Sequence, residues 1–101
     1  MTFVVQNRYF IKPGMEDEGL ETRRHASRVR ADGGRPVGRI MVSDGPQEGD
    51  VPTFVWECEY ADLETRQADL DWASASADFT AVRQKMGTLL ERFERLTFRV
   101  V

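Results

Sequence analysis

The spacing of apolar side chains switches between a period of two and a period near 3.6 along this chain. The order of those switches constrains the fold more than any other feature. Thr2 to Lys12 alternates, with Phe3, Val5, Asn7, Tyr9 and Ile11 on one side and Val4, Gln6, Arg8 and Phe10 on the other. Its β-branched and aromatic content predicts a strand, and Pro13-Gly14 ends it. Residues 15 to 31 read as a helix, with Glu16, Asp17 and Glu18 in the first turn and arginines later, an order that suits the helix dipole. Gly33-Gly34 stops it. Val37 to Ser43 and Thr53 to Tyr60 are two further strands, separated by the loop Asp44-Gly45-Pro46-Gln47-Glu48-Gly49-Asp50. Asp62 is placed to cap a short helix over 63–72, and Ser76 to cap another over 77–92. In the latter, Phe79, Val82, Met86, Leu89, Leu90 and Phe93 form one apolar stripe. Leu96 to Val101 reads as a final strand.

The resulting order, β-α-β-β-α-β, predicts a ferredoxin-like α+β fold, a four-stranded antiparallel sheet with the helices on one face. At 101 residues the chain suffices for a single domain over 1–101, and 41% apolar with 31% charged residues is ordinary globular usage. Apolar runs are too short for a membrane-spanning helix, and Met1 leads straight into the first strand with no signal peptide, so a cytoplasmic location is expected. Cys58 is the single cysteine and His25 the single histidine. An intramolecular disulfide, a Cys/His zinc site and every motif that needs two histidines are excluded, and no metal is expected. A net charge of −3 is too near balance to predict nucleic acid or an anionic membrane as a partner.

Sorting the strands by parity divides the sheet into two faces. One carries Phe3, Val5, Tyr9, Ile11, Ile40, Val42, Phe54, Trp56, Tyr60, Phe98 and Val100 and is assigned to the helices. The other carries Val4, Phe10, Val37, Met41, Val55 and Val101 among Gln6, Arg8, Arg39, Glu57, Glu59, Thr97 and Arg99. Half-apolar, it is too oily for open solvent, which predicts a homodimer through this face. The alternative is a monomer with a mixed surface. Against the first face, the first helix offers mostly small residues: Met15, Gly19, Thr22, Ala26 and Val29, flanked by Arg23, His25 and Arg30. Such a helix either packs very close or leaves a small-molecule cavity over Phe3, Val5, Tyr9 and Trp56.

Three segments carry a family resemblance. Phe3-Val4-Val5-Gln6-Asn7-Arg8-Tyr9-Phe10-Ile11-Lys12-Pro13-Gly14 resembles the first strand and turn of the dimeric α+β barrel superfamily, which includes antibiotic-biosynthesis-type monooxygenases, haem-degrading monooxygenases and NIPSNAP-like proteins. Trp56-Glu57-Cys58-Glu59-Tyr60-Ala61-Asp62-Leu63-Glu64 is similar to the third strand and its exit. Ser74-Ala75-Ser76-Ala77-Asp78-Phe79 with Met86-Gly87-Thr88-Leu89-Leu90 is similar to the last helix. The resemblance implies two sheets from two subunits closing into a barrel with the helices outside.

The haem-degrading branch carries a strand Asn, a helical Trp and a histidine ligand to haem iron. Asn7 and Trp72 match the first two. The ligand position is Arg83, which stays protonated and cannot ligate, so no cofactor is expected. The cofactor-independent oxygenase branch implies a base, oxyanion donors and an apolar pocket. The candidates are His25 as base, Asn7 and Tyr9 as donors and Trp56 as a stacking wall. Arg23, with Arg24, Arg28 and Arg30, is placed to draw an anionic substrate to the helix–sheet mouth, or else belongs to a solvated face balanced by Glu16, Asp17, Glu18 and Glu21. His25 equally suits a solvent-facing position, Asn7 a buried structural amide, and Trp56 ordinary core. Cys58, between Glu57 and Glu59, is a poor nucleophile. Glu57 and Glu59 share one strand face, where a carboxylate pair suits acid–base work or, at the subunit interface, a structural ion pair with Arg39 or Arg8.

Three readings follow. The first is a small dimeric α+β barrel protein that binds a small apolar or anionic molecule between helices and sheet. The alternative is a cofactor-independent monooxygenase acting on aromatic or polyketide-like compounds. A purely structural partner domain is the third reading.

Overall fold

The structure, a computed structural model, describes all residues from Met1 to Val101. The elements are β1 (Phe3–Ile11), α1 (Glu16–Asp32), β2 (Arg39–Val42), β3 (Phe54–Tyr60), α2 (Leu63–Ala75), α3 (Ala77–Leu89) and β4 (Leu90–Arg99). The strands form one antiparallel sheet in the order β2-β3-β1-β4. This is the ferredoxin-like arrangement the periodicity predicts, with the second crossover built from two helices. Both expected caps are present. Asp62 accepts the Thr65 amide at 2.7 Å, and Ser76 accepts that of Phe79 at 3.1 Å while its own N–H closes α2 on the Trp72 carbonyl.

The last helix ends earlier than its apolar spacing suggests. Leu90 and Phe93 lie on β4, not on α3. A register shift between Phe10 and Ile11 puts Leu90 opposite Ile11 and Phe93 opposite Tyr9, so both turn toward the helices despite their odd spacing. The same register overturns the parity read for the C-terminal strand. Phe98 lies opposite Val4 and Leu96 opposite Gln6, on the back of the sheet, whereas Thr97 and Arg99 face the helix side. Val42 is also exposed, because it lies on the edge strand β2.

The helix-facing core combines Val5, Tyr9, Ile11, Phe54, Trp56 and Tyr60 with Met86 and Leu89. At the N-terminal end of α1 the helix rides directly on the strand. A Cβ on Gly19 would stand 2.9 Å from Ile11 Cδ1. Farther along, Arg23, Ala26 and Arg30 line a cavity. Close packing and a cavity, alternatives in the sequence, therefore both occur under the same helix.

The turn into β2 depends on Gly38. Its φ is +68°, and a Cβ there would lie 2.5 Å from the Glu57 carbonyl oxygen and 2.7 Å from Trp56 Nε1. Trp56 Nε1 donates to the Val37 carbonyl at 2.8 Å, so the same turn satisfies the one polar atom of a buried indole. Gly38→Ala is expected to lower stability by about 1–3 kcal/mol through the disfavoured backbone conformation and the clash. Thermal unfolding should then show a midpoint lower by at least about 4 °C, on the scale of domains this size.

Candidate binding site

Helix α1 buries one stripe, Gly19, Thr22, Arg23, Ala26 and Arg30, at spacings of three, four and seven residues. Two of those five are arginines, 4% and 3% exposed. Both guanidinium groups lie over Trp56, each 4.8 Å from the ring centroid. The two cations differ in what holds them. Arg30 donates to Asp69 Oδ2 at 2.6 Å and to the Pro36 carbonyl at 2.7 Å. Asp69, itself 3% exposed, also receives Arg35 at 3.1 Å and a short hydrogen bond from the Tyr60 hydroxyl. Arg23 has no carboxylate. Its Nη1 reaches Tyr9 Oη at 3.4 Å and its Nη2 reaches Ser27 Oγ at 3.5 Å, both long, and its buried Nε has no partner.

Titration follows from this difference. Burial would raise the Asp69 carboxyl, but the hydrogen bonds from Arg30 and Tyr60 and the charge of Arg30 outweigh it, and the group sits below the usual carboxylate range. Burial, then the hydrogen bond to Asp69, pushes the Tyr60 hydroxyl far up, so it remains a donor. Burial pulls Arg23 down from the ordinary arginine value, partly opposed by Tyr9; the group is still a cation. Burial pushes the Cys58 thiol up. The direction agrees with the sequence expectation, but the cause is desolvation rather than the flanking glutamates.

Arg23, Arg30, Tyr60 and Asp69 line a cavity of about 260 Å³ between α1, α2, α3 and the helix-facing side of β1, β3 and β4. Its apolar wall includes Val5, Ala26, Ala73, Phe79, Val82 and Met86. Asp69 is the only acid in the lining, against Arg23, Arg30, Arg66, Arg83 and Arg95. Arg95 and Arg83 are exposed and mark where the cavity meets solvent. Arg95 Nε donates to Asn7 Oδ1 at 2.9 Å.

Of the residues singled out from the sequence, Asn7, Tyr9, Arg23 and Trp56 meet in this cavity. Two assignments need correction. His25 is exposed and absent from the lining, because α1 turns positions 22, 23 and 26 inward and leaves 25 outside. It cannot reach a ligand there as a base. Trp72 does not line the cavity either; it packs on Phe79 at 5.3 Å and fills the space that a Cβ on Gly33 would enter at 2.6 Å. Trp56 lines the cavity, but its ring already carries two guanidinium groups, so it serves as a platform for arginines rather than for a ligand. Arg83 donates to the Ala73 carbonyl at 3.3 Å and lies over Phe79 at 5.3 Å, and no lining residue offers a neutral nitrogen ligand for haem iron. Asp69, Tyr60 and Arg95 carry no site assignment in the sequence, although Asp69 and Arg95 contribute to the cavity's charge and Tyr60 donates to Asp69.

No family model and no curated protein matches the chain. Solved structures do. A NIPSNAP family protein from Agrobacterium tumefaciens superposes with a TM-score of 0.78 at 19% identity, covering 100% of this chain and 94% of the other. An antibiotic biosynthesis monooxygenase gives 0.63 at 20% identity, over 100% and 99%. A dimeric ferredoxin-like protein of unknown function from Thermobifida fusca gives 0.71 at 13% identity, over 99% and 92%. The likeness is one of fold, and it is the fold that the three sequence segments imply.

Asp69→Asn is expected to cost about 3–5 kcal/mol at neutral pH, because it leaves Arg30 buried without its counter-charge. Asp69 titrates lower folded than unfolded. Its contribution is therefore complete above the ordinary carboxylate value and is lost as pH falls through the folded one. Urea unfolding of the two proteins should show a gap that is widest near pH 7 and narrows below about pH 4, near the model-peptide value.

Proposed function

We propose that this chain is a small-molecule-binding protein that works as a homodimer, with the ligand held between helices and sheet. The cavity carries the reading. It lies between three helices and the sheet and opens to solvent, its wall is mainly apolar, and several polar groups converge on it, the usual make-up of a ligand site.

The dimer reading rests on the back of the sheet. Val4, Phe10, Met41, Val55, Leu96 and Phe98 share that face, most of them half-buried and Phe98 exposed. Moving Phe98 and Leu96 to it makes the face oilier than parity alone predicts. Its polar groups are already ordered. Arg8 donates to Gln6 and Gln6 to Glu57, both at 3.0 Å, and Arg39 donates to Glu57 at 2.9 Å. A second copy would cover a surface on which Glu57 is already neutralised by Arg39, while Arg8, bonded only to the neutral Gln6, is left to be paired by the partner. The Thermobifida fusca protein of this fold is itself described as dimeric.

A second reading, cofactor-independent oxygenation of an aromatic compound, is favoured by the Tyr9 hydroxyl and Arg23 side by side in an apolar cavity, where they could hold an oxyanion. It lacks a base, since His25 lies outside and Asp69 is committed to Arg30, Arg35 and Tyr60.

Light scattering should give twice the chain's 11.6 kDa, and Val55→Glu, in the middle of the back face, should give one chain mass with the helical signal kept. A wild-type protein of one chain mass at micromolar concentration contradicts the dimer. For the cavity, NMR titration with phenol should shift the Val82 and Met86 methyl resonances, and Ala73→Phe should abolish those shifts. Phenol oxygenation measured by oxygen uptake should be absent; turnover that survives in His25→Ala and stops in Tyr9→Phe would favour the second reading.

A further inference from the structure

We propose that the ligand is a small aromatic or otherwise apolar carboxylic acid, bound as its anion with the carboxylate on Arg23. This deepens the small-molecule reading above and rests on it. Four observations carry the inference. First, Arg23 is a buried cation on the cavity wall with no carboxylate partner, two long hydrogen bonds and an unpartnered Nε. A buried charge in that condition is costly unless something supplies the missing acceptor. Arg30, on the same face, shows what a satisfied arginine looks like here, with Asp69 and the Pro36 carbonyl both bound.

Second, the missing acceptor must come from outside the chain. Asp69 is the only acid in the lining, and Arg30, Arg35 and Tyr60 already share it. Third, the ligand must arrive already charged. The cavity contains no group free to take a proton, because Asp69 is held as a carboxylate by its three donors and the one histidine points to solvent. At neutral pH a carboxylic acid is ionised in water, whereas a simple phenol, with a value near that of tyrosine at about 10, is not. Fourth, Arg23 is the only buried cation of the lining without a carboxylate; Arg66, Arg83 and Arg95, which also lack one, are partly or fully exposed. The wall beside Arg23 is mainly apolar, so a single negative charge on an apolar body fits there better than a phosphate dianion. A volume of about 260 Å³ suits a molecule near the size of benzoate. Tyr9 Oη, beside Arg23, can donate to the same carboxylate, and Arg66, Arg83 and Arg95 give the lining a positive potential that attracts anions.

Calorimetric titration with benzoate, its neutral isostere benzamide, inorganic phosphate and naphthalene tests this. Benzoate should bind at least about tenfold tighter than benzamide, the worth of one charge-assisted hydrogen bond. Phosphate should not compete, and Arg23→Gln should erase the preference. In the wild-type protein the Arg23 Nε–H resonance should shift with benzoate and not with benzamide, which decides the matter even if the variant fails to fold. Equal binding of benzoate and benzamide, a preference that survives in Arg23→Gln, or a silent Arg23 resonance overturns the proposal. So does benzoate failing to bind while naphthalene does, which leaves the cavity reading standing. Failure of all four probes overturns both.

Discussion

The ion pair between Arg30 and Asp69 holds the helical layer together. It joins α1 to α2 in a dry environment, and through Tyr60 it ties both to the central strand β3. Arg35 adds the turn after α1 to the same carboxylate. A buried pair of this kind gains little over a well-packed apolar substitute, yet loses a great deal when one member goes. It therefore acts as a specifier of position. It fixes where α2 sits, and α2 forms one wall of the cavity through Arg66, Asp69, Leu70, Ala73 and Ser74.

Charge is distributed unevenly around that link. Two arginines enter the interior from one helix face, and one aspartate comes to meet them. Trp56 softens the imbalance by presenting its ring to both guanidinium groups. The remainder is a cavity with one uncompensated buried cation on a largely apolar wall.

Element order, helix caps and the oily back face of the first three strands were legible in the sequence, because each depends on local spacing. The alternation of Phe3 to Ile11 and the capping positions of Asp62 and Ser76 need no tertiary information. The end of α3 was not legible. Leu89, Leu90 and Phe93 continue a helical stripe, and only strand pairing with β1, with its shift after Phe10, reveals that the last two belong to β4. Half of the site was legible as well. Asn7 and Tyr9 follow from parity. Arg23 and Arg30 share a helical face with Gly19 and Ala26, which places them at the helix–sheet mouth; their nearly complete burial goes against the usual exposure of arginine and is not given by spacing. His25 drew attention for its chemistry, though its position on the same wheel points outward. Asp69 had no local mark, because a partner 39 residues away decides its burial.

The two faces of β1 serve different purposes with adjacent residues. Val5, Asn7 and Tyr9 shape the interior, while Val4, Gln6, Arg8 and Phe10 shape the back. Inserting or deleting one residue in this strand would exchange the two sets wholesale. Length is thereby frozen from Phe3 to Ile11, whereas the exposed hairpin connection 44–50 is free to grow or shrink. Lineages of this protein should diverge by remodelling that connection and by retuning side chains on a strand whose residue count cannot change.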